Sequence, residues 1–287
     1  MIRSIFGKLF IGGEWKTAYR KRSDAKCAFQ LVPTNEDFWI ADPFWVEDKG
    51  EHYLFCEVYQ KKAKHGGIGY YKMINGEPVY QGMVIQNPYH MSYPCVFTYS
   101  GKFYMVPETG ANQTIELYRA ERFPDKWVLD KILLKGERYA DSTVYQSDDR
   151  YYLLSYQKRN AEFSLTLFSL DMEKKSLAKI GAKIYQTNIG RPAGSLFHEK
   201  DTLMRPAQNC SKKYGEGLYF YKVTQLDKRG IEEKEVAYIS VDQIPVDGKF
   251  QRVHTYNRDS TYEVVDLLQE KFDLFHAIGI LLRNRIR

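Results

Sequence analysis

The feature that most constrains this chain is a repeat with a period of about 50 residues. Three segments of 17 residues align without a gap, and each has an apolar stretch, a polar turn and a second stretch rich in Tyr. They are ADPFWVEDKGEHYLFCE at 41–57, SYPCVFTYSGKFYMVPE at 92–108 and ADSTVYQSDDRYYLLSY at 140–156. This pattern is typical of a β-hairpin, and a hairpin that recurs at a fixed period indicates a repeat architecture.

Two further copies extend the repeat toward the C terminus. RPAGSLFHEKDTLMRPA at 191–207 keeps the period, and TYEVVDLLQEKFDLFHA at 261–277 follows after a longer interval. About 50 residues suit one four-stranded propeller blade, and five such units account for most of the chain. The sequence therefore predicts an all-β, single-domain, five-bladed β-propeller, with a β-sandwich of similar hairpins as the alternative.

We expect the propeller to occupy residues 35–280, between an N-terminal segment, 1–34, and a basic tail, 281–287. A propeller usually closes by combining strands from both chain ends in one blade, and CAFQLV at 27–32 is the candidate closing strand. The C-terminal stretch FDLFHAIGILLRNRIR suits a strand or helix packed on the last blade. Weak contact with a membrane surface is the alternative for that stretch.

Composition supports a sheet protein and excludes other classes. Phe, Trp and Tyr form 15% of the residues, and such residues favour sheets. The formal charge of +6 is spread over 42 basic and 36 acidic residues, so no nucleic-acid partner is predicted.

Four scattered cysteines indicate a reducing compartment, and no stretch suits a signal peptide or membrane span, so we expect a cytoplasmic protein. Nucleotide-binding and zincin motifs are absent, and we predict neither a cofactor nor a metal.

Equivalent positions of the copies are expected to meet, because the innermost strands of a propeller surround a central channel. The second position holds Asp42, Tyr93, Asp141 and Pro192, and the last position holds Glu57, Glu108, Tyr156 and Ala207. In the fourth copy, residues next to these two positions are also polar: Arg191, Arg205 and Gln208. Because an unsatisfied buried polar group costs about 1 to 3 kcal/mol, this set is either paired scaffolding or functional. In the scaffolding alternative the aspartates cap turns and the glutamates pair with the arginines.

The chemistry that suits this set is that of glycosidic bonds. Cleavage or transfer needs a carboxylate on one face of the sugar and a carboxylic acid of raised pKa on the other. Asp42 is the candidate base or nucleophile, Asp141 the candidate for tuning a pKa or binding hydroxyls, and Glu108 or Glu57 the candidate acid. The candidate substrate-binding residues are Glu57, Tyr93, Tyr156, Arg191, Arg205 and Gln208. The arginines would suit an anionic sugar or a phosphate.

At these residues the sequence resembles a known family. WIADPFWVEDKGEHYLFCE, SYPCVF with YMVPETG, ADSTVY, and GRPAGSLF with LMRPAQNCSKKYGEGL are similar to the N-terminal propeller domain of plant glucosamine inositolphosphorylceramide transferases. This group is distantly similar to family 43 glycoside hydrolases. That resemblance implies a general base at Asp42 and a pKa-tuning role for Asp141. Family 43 enzymes take their acid Glu from a later blade, where this chain has Arg191, Arg205 and Gln208.

We therefore expect a carbohydrate-active propeller that acts on a sugar or glycoconjugate through an acidic, arginine-lined central channel. The reaction would be glycosidase-like or glycosyl transfer, within glycan or polysaccharide biosynthesis. The alternative is a non-catalytic sugar-binding or scaffold module that assists a separate glycosyltransferase. A protein-interaction propeller without a small-molecule site is a third interpretation.

Overall fold

The computed structural model describes residues 11–272, which fold into five antiparallel sheets. In chain order the strands are β1 (Ile11–Lys21), β2 (Gln30–Leu31), β3 (Phe38–Asp48), β4 (Glu51–Gln60), β5 (His65–Ile74), β6 (Glu77–Ile85), β7 (Ser92–Tyr99), β8 (Lys102–Thr109), β9 (Thr114–Arg122), β10 (Lys126–Lys135), β11 (Ala140–Ser147), β12 (Arg150–Arg159), β13 (Glu162–Asp171), β14 (Ser176–Tyr185), β15 (Ile189–Pro192), β16 (Phe197–Glu199), β17 (Thr202–Asn209), β18 (Gly217–Asp227), β19 (Gly230–Ser240), β20 (Arg252–Arg258) and β21 (Tyr262–Phe272). Short 3₁₀ helices cover Arg22–Asp24, Gly110–Asn112 and Val241–Gln243.

These sheets are the blades of the predicted five-bladed propeller, which the structure confirms. Blades one to three are β3–β6, β7–β10 and β11–β14, each in chain order from the inner to the outer strand. Blade four runs from β15 and β16, which both pair with β17, to β18 and β19. Blade five has the order β20, β21, β1, β2 and therefore joins the two ends of the described chain.

Closure of the ring differs from the sequence prediction. The closing strand is β1, which pairs with β21 over its whole length, from Ile11 opposite Phe272 to Lys21 opposite Tyr262. The predicted closing stretch at 27–32 contributes only the two-residue strand β2 at the outer edge. The predicted fifth copy at 261–277 is also corrected, because β21 is one continuous strand rather than a hairpin and the inner strand of this blade is β20.

Apolar clusters between neighbouring blades hold the ring together. One cluster joins blades five and one through Tyr19, Trp45, Tyr71 and Val264, and comparable clusters lie at the other four boundaries. Burial of apolar surface stabilises a fold by roughly 25 cal/mol per Å², so these boundaries stabilise the closed ring. Many of the abundant tyrosines serve in this packing.

The inner strands share one irregularity, and it creates the site. Each of them has a register shift against its neighbour at the same place in the blade. At this place Asp42, Tyr93 and Asp141 have φ angles of 49°, 48° and 51°, and the fourth blade has Gly190 at 87°. A bulge re-aims a side chain, and a left-handed backbone costs a residue other than glycine about 1 to 2 kcal/mol. The fold therefore accepts local strain where it directs these side chains inward.

No helix within residues 11–272 is long and apolar enough to cross a membrane. The predicted strand or helix beyond Phe272 and the basic tail at 281–287 lie outside the described residues.

Candidate active site at the mouth of the channel

The inner ends of blades two, three and four form the first polar cluster of the site. Arg191 donates from Nε to Asp141 Oδ2 at 2.5 Å and from Nη2 to Asp141 Oδ1 at 3.1 Å, a two-bond ion pair. The same Nη2 lies 3.2 Å from Glu108 Oε2, which also accepts the backbone N–H of Asp141 at 3.2 Å. Gln208 donates to Asp141 Oδ2 at 2.7 Å. Four of the predicted site residues thus meet in one hydrogen-bonded group.

The two carboxyl groups of this cluster have opposite acidity. Burial acts to raise the pKa of Asp141, but the charge and hydrogen bonds of Arg191 outweigh burial and hold that pKa below its ordinary value. Burial and the Asp141 charge raise the pKa of Glu108 to about 8, against the opposing effect of Arg191. Asp141 is therefore ionised at neutral pH and Glu108 is protonated. Because both donors use Oε2 of Glu108, its proton is expected on Oε1.

The inner ends of blades one and five form a second polar cluster. Thr255 Oγ1 donates to Asp42 Oδ1 at 2.9 Å, and His254 Nδ1 lies 3.7 Å from the same oxygen. Asp266 Oδ2 accepts the backbone N–H of Asp42 at 2.9 Å and lies 2.7 Å from His254 Nδ1. Burial raises the pKa of Asp42 to about 6, with the nearby charge of His254 acting against it. Asp42 is thus mostly ionised at neutral pH.

His254 belongs to the second cluster, and the repeat alignment does not show its position because the fifth copy was misplaced. The structure places it at the register shift of β20, the position that Asp42 and Asp141 hold in their blades. Burial lowers its pKa, but the Asp266 carboxylate outweighs burial and raises the pKa above its ordinary value. Asp42, His254 and Asp266 each have one ligand atom within 4.8 Å of the others, a spacing that could hold a metal ion. Their side chains also satisfy one another without an ion.

Glu57 is buried at the edge of the clusters, next to blade two. Its Oε1 has no hydrogen-bond partner within the described structure, and His90 Nε2 lies 3.5 Å away. Burial, reinforced by the charge of Asp42, raises the pKa of Glu57 well above its ordinary value. Gly66 leaves room for this carboxyl, because a Cβ on Gly66 would lie 2.5 Å from Oε1.

A pocket of about 320 Å³ opens onto the first cluster. Its lining residues are Glu108, Arg138, Tyr139, Ala140, Tyr156, Lys158, Asn188, Arg191, Cys210 and Tyr214. Asp42 and Asp141 lie behind this surface, and Asp42 is only 4% exposed. The predicted residues that face the pocket are thus Glu108, Tyr156 and Arg191.

Tyr214 covers the mouth of the site and was missed by sequence reasoning. Its ring is 5.4 Å from the Arg191 guanidinium and 5.1 Å from the His254 ring, which in turn lies 3.8 Å from the Trp15 ring at a tilted angle. Tyr214 is 42% exposed and so presents an apolar ring face at the opening. It lies in the loop after β17, outside the repeat, and its one signal was an aromatic residue in the SKKYGEG stretch.

Four of the six predicted substrate-binding residues do not line the pocket: Glu57, Tyr93, Arg205 and Gln208. Arg205 is fully buried in blade four, where it forms two hydrogen bonds with Glu233, at 2.7 and 2.8 Å. Tyr93 is also fully buried, and its hydroxyl is satisfied by Thr143 and the backbone N–H of Gly194. The expectation that Tyr93, Arg205 and Gln208 contact substrate is corrected, because all three side chains are fully buried. Tyr93 fills the channel below the acids.

The fold and this site define a class: five-bladed propellers whose inner strands present a buried set of carboxyl groups and an arginine beneath an open pocket. Several solved structures share the fold. Zg3597, a family 117 glycoside hydrolase from Zobellia galactanivorans, matches with a TM-score of 0.58 and 11% identity over 90% of this chain and 92% of that one. The catalytic domain of a GH62 α-L-arabinofuranosidase from Coprinopsis cinerea matches at 0.58 and 11%, over 88% and 97% of the two chains.

The chain belongs to the family described as glucosamine inositolphosphorylceramide transferase 1, N-terminal, whose model matches residues 25–271. Proteins named glucosamine inositolphosphorylceramide transferase 1 are similar in sequence. The one from Oryza sativa subsp. indica is 31% identical over 209 residues, which are 69% of this chain. The one from Arabidopsis thaliana is 30% identical over 221 residues, which are 72% of this chain. The match spans only 28% of the length of either relative.

Proposed function

We propose that this propeller acts on a sugar or glycoconjugate bound in the pocket, with Glu108 as general acid and Asp42, which lies behind the pocket surface, as a general base that acts through one water molecule. The observation that carries the proposal is the unequal acidity of two carboxyl groups in one channel. The pKa of Glu108 is raised to about 8 and that of Asp42 to about 6. At neutral pH one can donate a proton and the other can accept one, which is the requirement of glycosidic bond chemistry.

The remaining pocket residues support a carbohydrate ligand. Asp141 is held ionised by Arg191, and its charge keeps the proton on Glu108. Tyr214 and Tyr156 offer aromatic surface to a sugar ring, since aromatic side chains combine an apolar face with a polar edge. A pocket of about 320 Å³ is near the lower end, roughly 300 Å³, of small-molecule sites. A monosaccharide unit is therefore a suitable occupant.

The names of the relatives point to the same chemical class. The sequence relatives are named as a glycosyl-type transferase, and the fold neighbours are named as glycoside hydrolases. From these names we take only the proposal that the chain serves glycan or polysaccharide biosynthesis. Arg191 occupies the fourth-blade region from which family 43 enzymes take their acid, so in this proposal Glu108 of blade two supplies the proton instead. A cytoplasmic location stays a prediction.

A turnover screen tests the proposal. Wild-type protein is incubated with nitrophenyl glycosides and nucleotide sugars, and released product is measured. We expect Asp42→Asn and Glu108→Gln each to lower turnover by about 10² to 10⁴-fold, the usual contribution of a general acid or base. Asp149→Asn, in an exposed turn, is the matched control and is expected to keep full activity. If Glu108→Gln keeps full activity, Glu108 is not the general acid.

One observation favours a second function, a sugar-binding module that assists a separate glycosyltransferase. Arg191 holds Asp141 and Glu108 together, and Asp42 is almost fully buried and hydrogen-bonded to Thr255. Groups tied in this way can serve as a binding surface without reacting. This function predicts that sugars bind without turnover, and that Asp42→Asn changes neither affinity nor product formation.

A further inference from the structure

We propose that the pocket contains a phosphate-binding subsite formed by Arg138 and Lys158, so that the ligand is a phosphorylated sugar. The proposal rests on the proposed function for the sugar part and deepens it by naming the charged group. Both residues line the pocket that Glu108 and Arg191 share. Neither was singled out in the sequence, because both lie beyond the aligned copies of the repeat.

The fold brings the two cations to the same pocket from neighbouring stretches of chain. Ala140 pairs with Tyr156 at the end of the β11–β12 ladder, and Arg138 and Lys158 stand two residues further out on the two chains. The side-chain amide of Gln157 donates to the Arg138 carbonyl at 3.3 Å and fixes this part of the chain. Two positive charges that line one pocket repel each other, which costs free energy. A ligand anion between them would remove that cost.

Nothing in the described part of the chain neutralises these charges. Among residues 11–272, neither Arg138 nor Lys158 forms an ion pair with a carboxylate, whereas the adjacent Arg159 pairs with Glu137 at 2.5 Å. The Lys158 ammonium is 5.5 Å from the Phe163 ring, a contact that leaves its charge uncompensated. Both side chains are exposed and can reach into the pocket.

The remaining charges of the pocket cancel. Arg191 is balanced by the ionised Asp141. Glu108 holds its proton, with a pKa of about 8, and brings no negative charge at neutral pH. The excess is therefore the two positive charges of Arg138 and Lys158. A phosphomonoester carries about −1.5 to −2 charges at pH 7 and matches this excess better than the single charge of a carboxylate. Guanidinium and ammonium groups both bind phosphate oxygens well.

Calorimetric titration with four probes tests the subsite: inorganic phosphate, glucose 1-phosphate, glucuronate and glucose. For wild type we expect glucose 1-phosphate to bind at least tenfold more tightly than glucose or glucuronate, with an affinity that falls as salt is raised. The double variant Arg138→Ala, Lys158→Ala is expected to lose this preference and to lose binding of inorganic phosphate. The control Lys131→Ala, Lys234→Ala removes the same charge from exposed outer strands and is expected to bind as wild type does.

Three results would overturn the subsite. They are equal binding of glucose 1-phosphate to the double variant and the control, equal affinity for glucuronate and glucose 1-phosphate, and no binding of either phosphate probe to wild type. Failure of the proposed function looks different. In that case Glu108→Gln would keep the turnover of wild type, or no glycoside would be turned over at all. The preference for glucose 1-phosphate would still be lost only in the Arg138, Lys158 double variant.

Discussion

Glu108 and Asp42 show how position decides the chemistry of a carboxyl group. Glu108 is buried beside the ionised Asp141, and its pKa is raised to about 8. Asp42 is buried more deeply, but His254 and the Thr255 hydroxyl offset part of the effect of burial, and its pKa is raised to about 6. Two acids of similar intrinsic strength therefore carry different protonation states at pH 7.

This difference has a consequence for stability. Unfolded Glu108 loses its proton near its ordinary pKa of 4.5, while the folded protein keeps that proton up to about pH 8. A raised folded-state pKa stabilises the fold below pH 4.5, and this contribution is lost as pH rises through 8. We expect wild type to lose about 1 kcal/mol per pH unit more than Glu108→Gln between pH 5.5 and 7.5. Urea unfolding at several pH values measures the free energy of unfolding of both proteins. The same dependence of that free energy on pH in wild type and Glu108→Gln would contradict the prediction.

Arg205 provides a second prediction at this scale. Arg205 and Glu233 are both fully buried and bonded to each other, so removal of one partner leaves an unpaired charge in the interior. We expect Arg205→Met to lower the free energy of unfolding by about 3 to 5 kcal/mol. Ligand affinity of the folded fraction should stay unchanged, because Arg205 lies outside the pocket. Urea unfolding measures the stability and calorimetry the affinity. If Arg205→Met loses ligand affinity but keeps its stability, Arg205 contacts the ligand after all.

At the scale of strands and blades, the repeat predicted the hairpins and the site positions of blades one to three. Gapless copies carry the register, and the pairs Ala41–Glu57, Ser92–Glu108 and Ala140–Tyr156 are those that the alignment implies. The fourth copy is shifted by one residue, since Pro192 rather than Arg191 faces Ala207. Periodicity could not show this shift, because β15 and β16 are separate pieces of one edge.

Blade five could not be predicted from the repeat. Its inner strand β20 and second strand β21 are joined by a polar turn at 259–261, so the hairpin of this blade begins before the copy placed at 261–277, and the similarity to the copies was spurious there. The polar residues His254, Thr255 and Asp266 were hidden for this reason. Tyr214 was missed for another reason, because contacts made by loops depend on how the blades are arranged in space.

The junction of blades four and five gives a test at this scale. Gly194 has φ 139°, and a Cβ there would lie 2.0 Å from the Tyr256 carbonyl oxygen. We expect Gly194→Ala to destabilise the protein by about 3 kcal/mol, since both the backbone angle and the backbone contact oppose it. Gly181→Ala is the control, because Gly181 has open space around it and an ordinary φ. Equal melting temperatures for the two variants would show that this junction is not tightly packed.

At the scale of the whole molecule, the ring depends on one strand from the N-terminal part of the chain. β1 pairs with β21 along its length, and Ala18 is fully buried against blade four and β21. We expect Ala18→Asp to destabilise the ring by about 3 kcal/mol or more, because it buries an unpaired charge. Ala182→Asp, on the exposed outer strand of blade three, should be nearly neutral. Thermal unfolding compares them, and similar melting temperatures would contradict closure by β1.

The ring also sets the electrostatics of the site, since carboxyl groups from 33 residues apart in sequence (Glu108 and Asp141) to 224 residues apart (Asp42 and Asp266) share one channel only when it is closed. The central claim is that this channel contains an acid and a base ready to act at neutral pH. Carbon-13 NMR titration of the carboxyl groups, with signals assigned through Glu108→Gln and Asp42→Asn, tests it most directly. We predict that Glu108 titrates near pH 8 and Asp42 near pH 6. Titration of both groups below pH 5 would contradict the account.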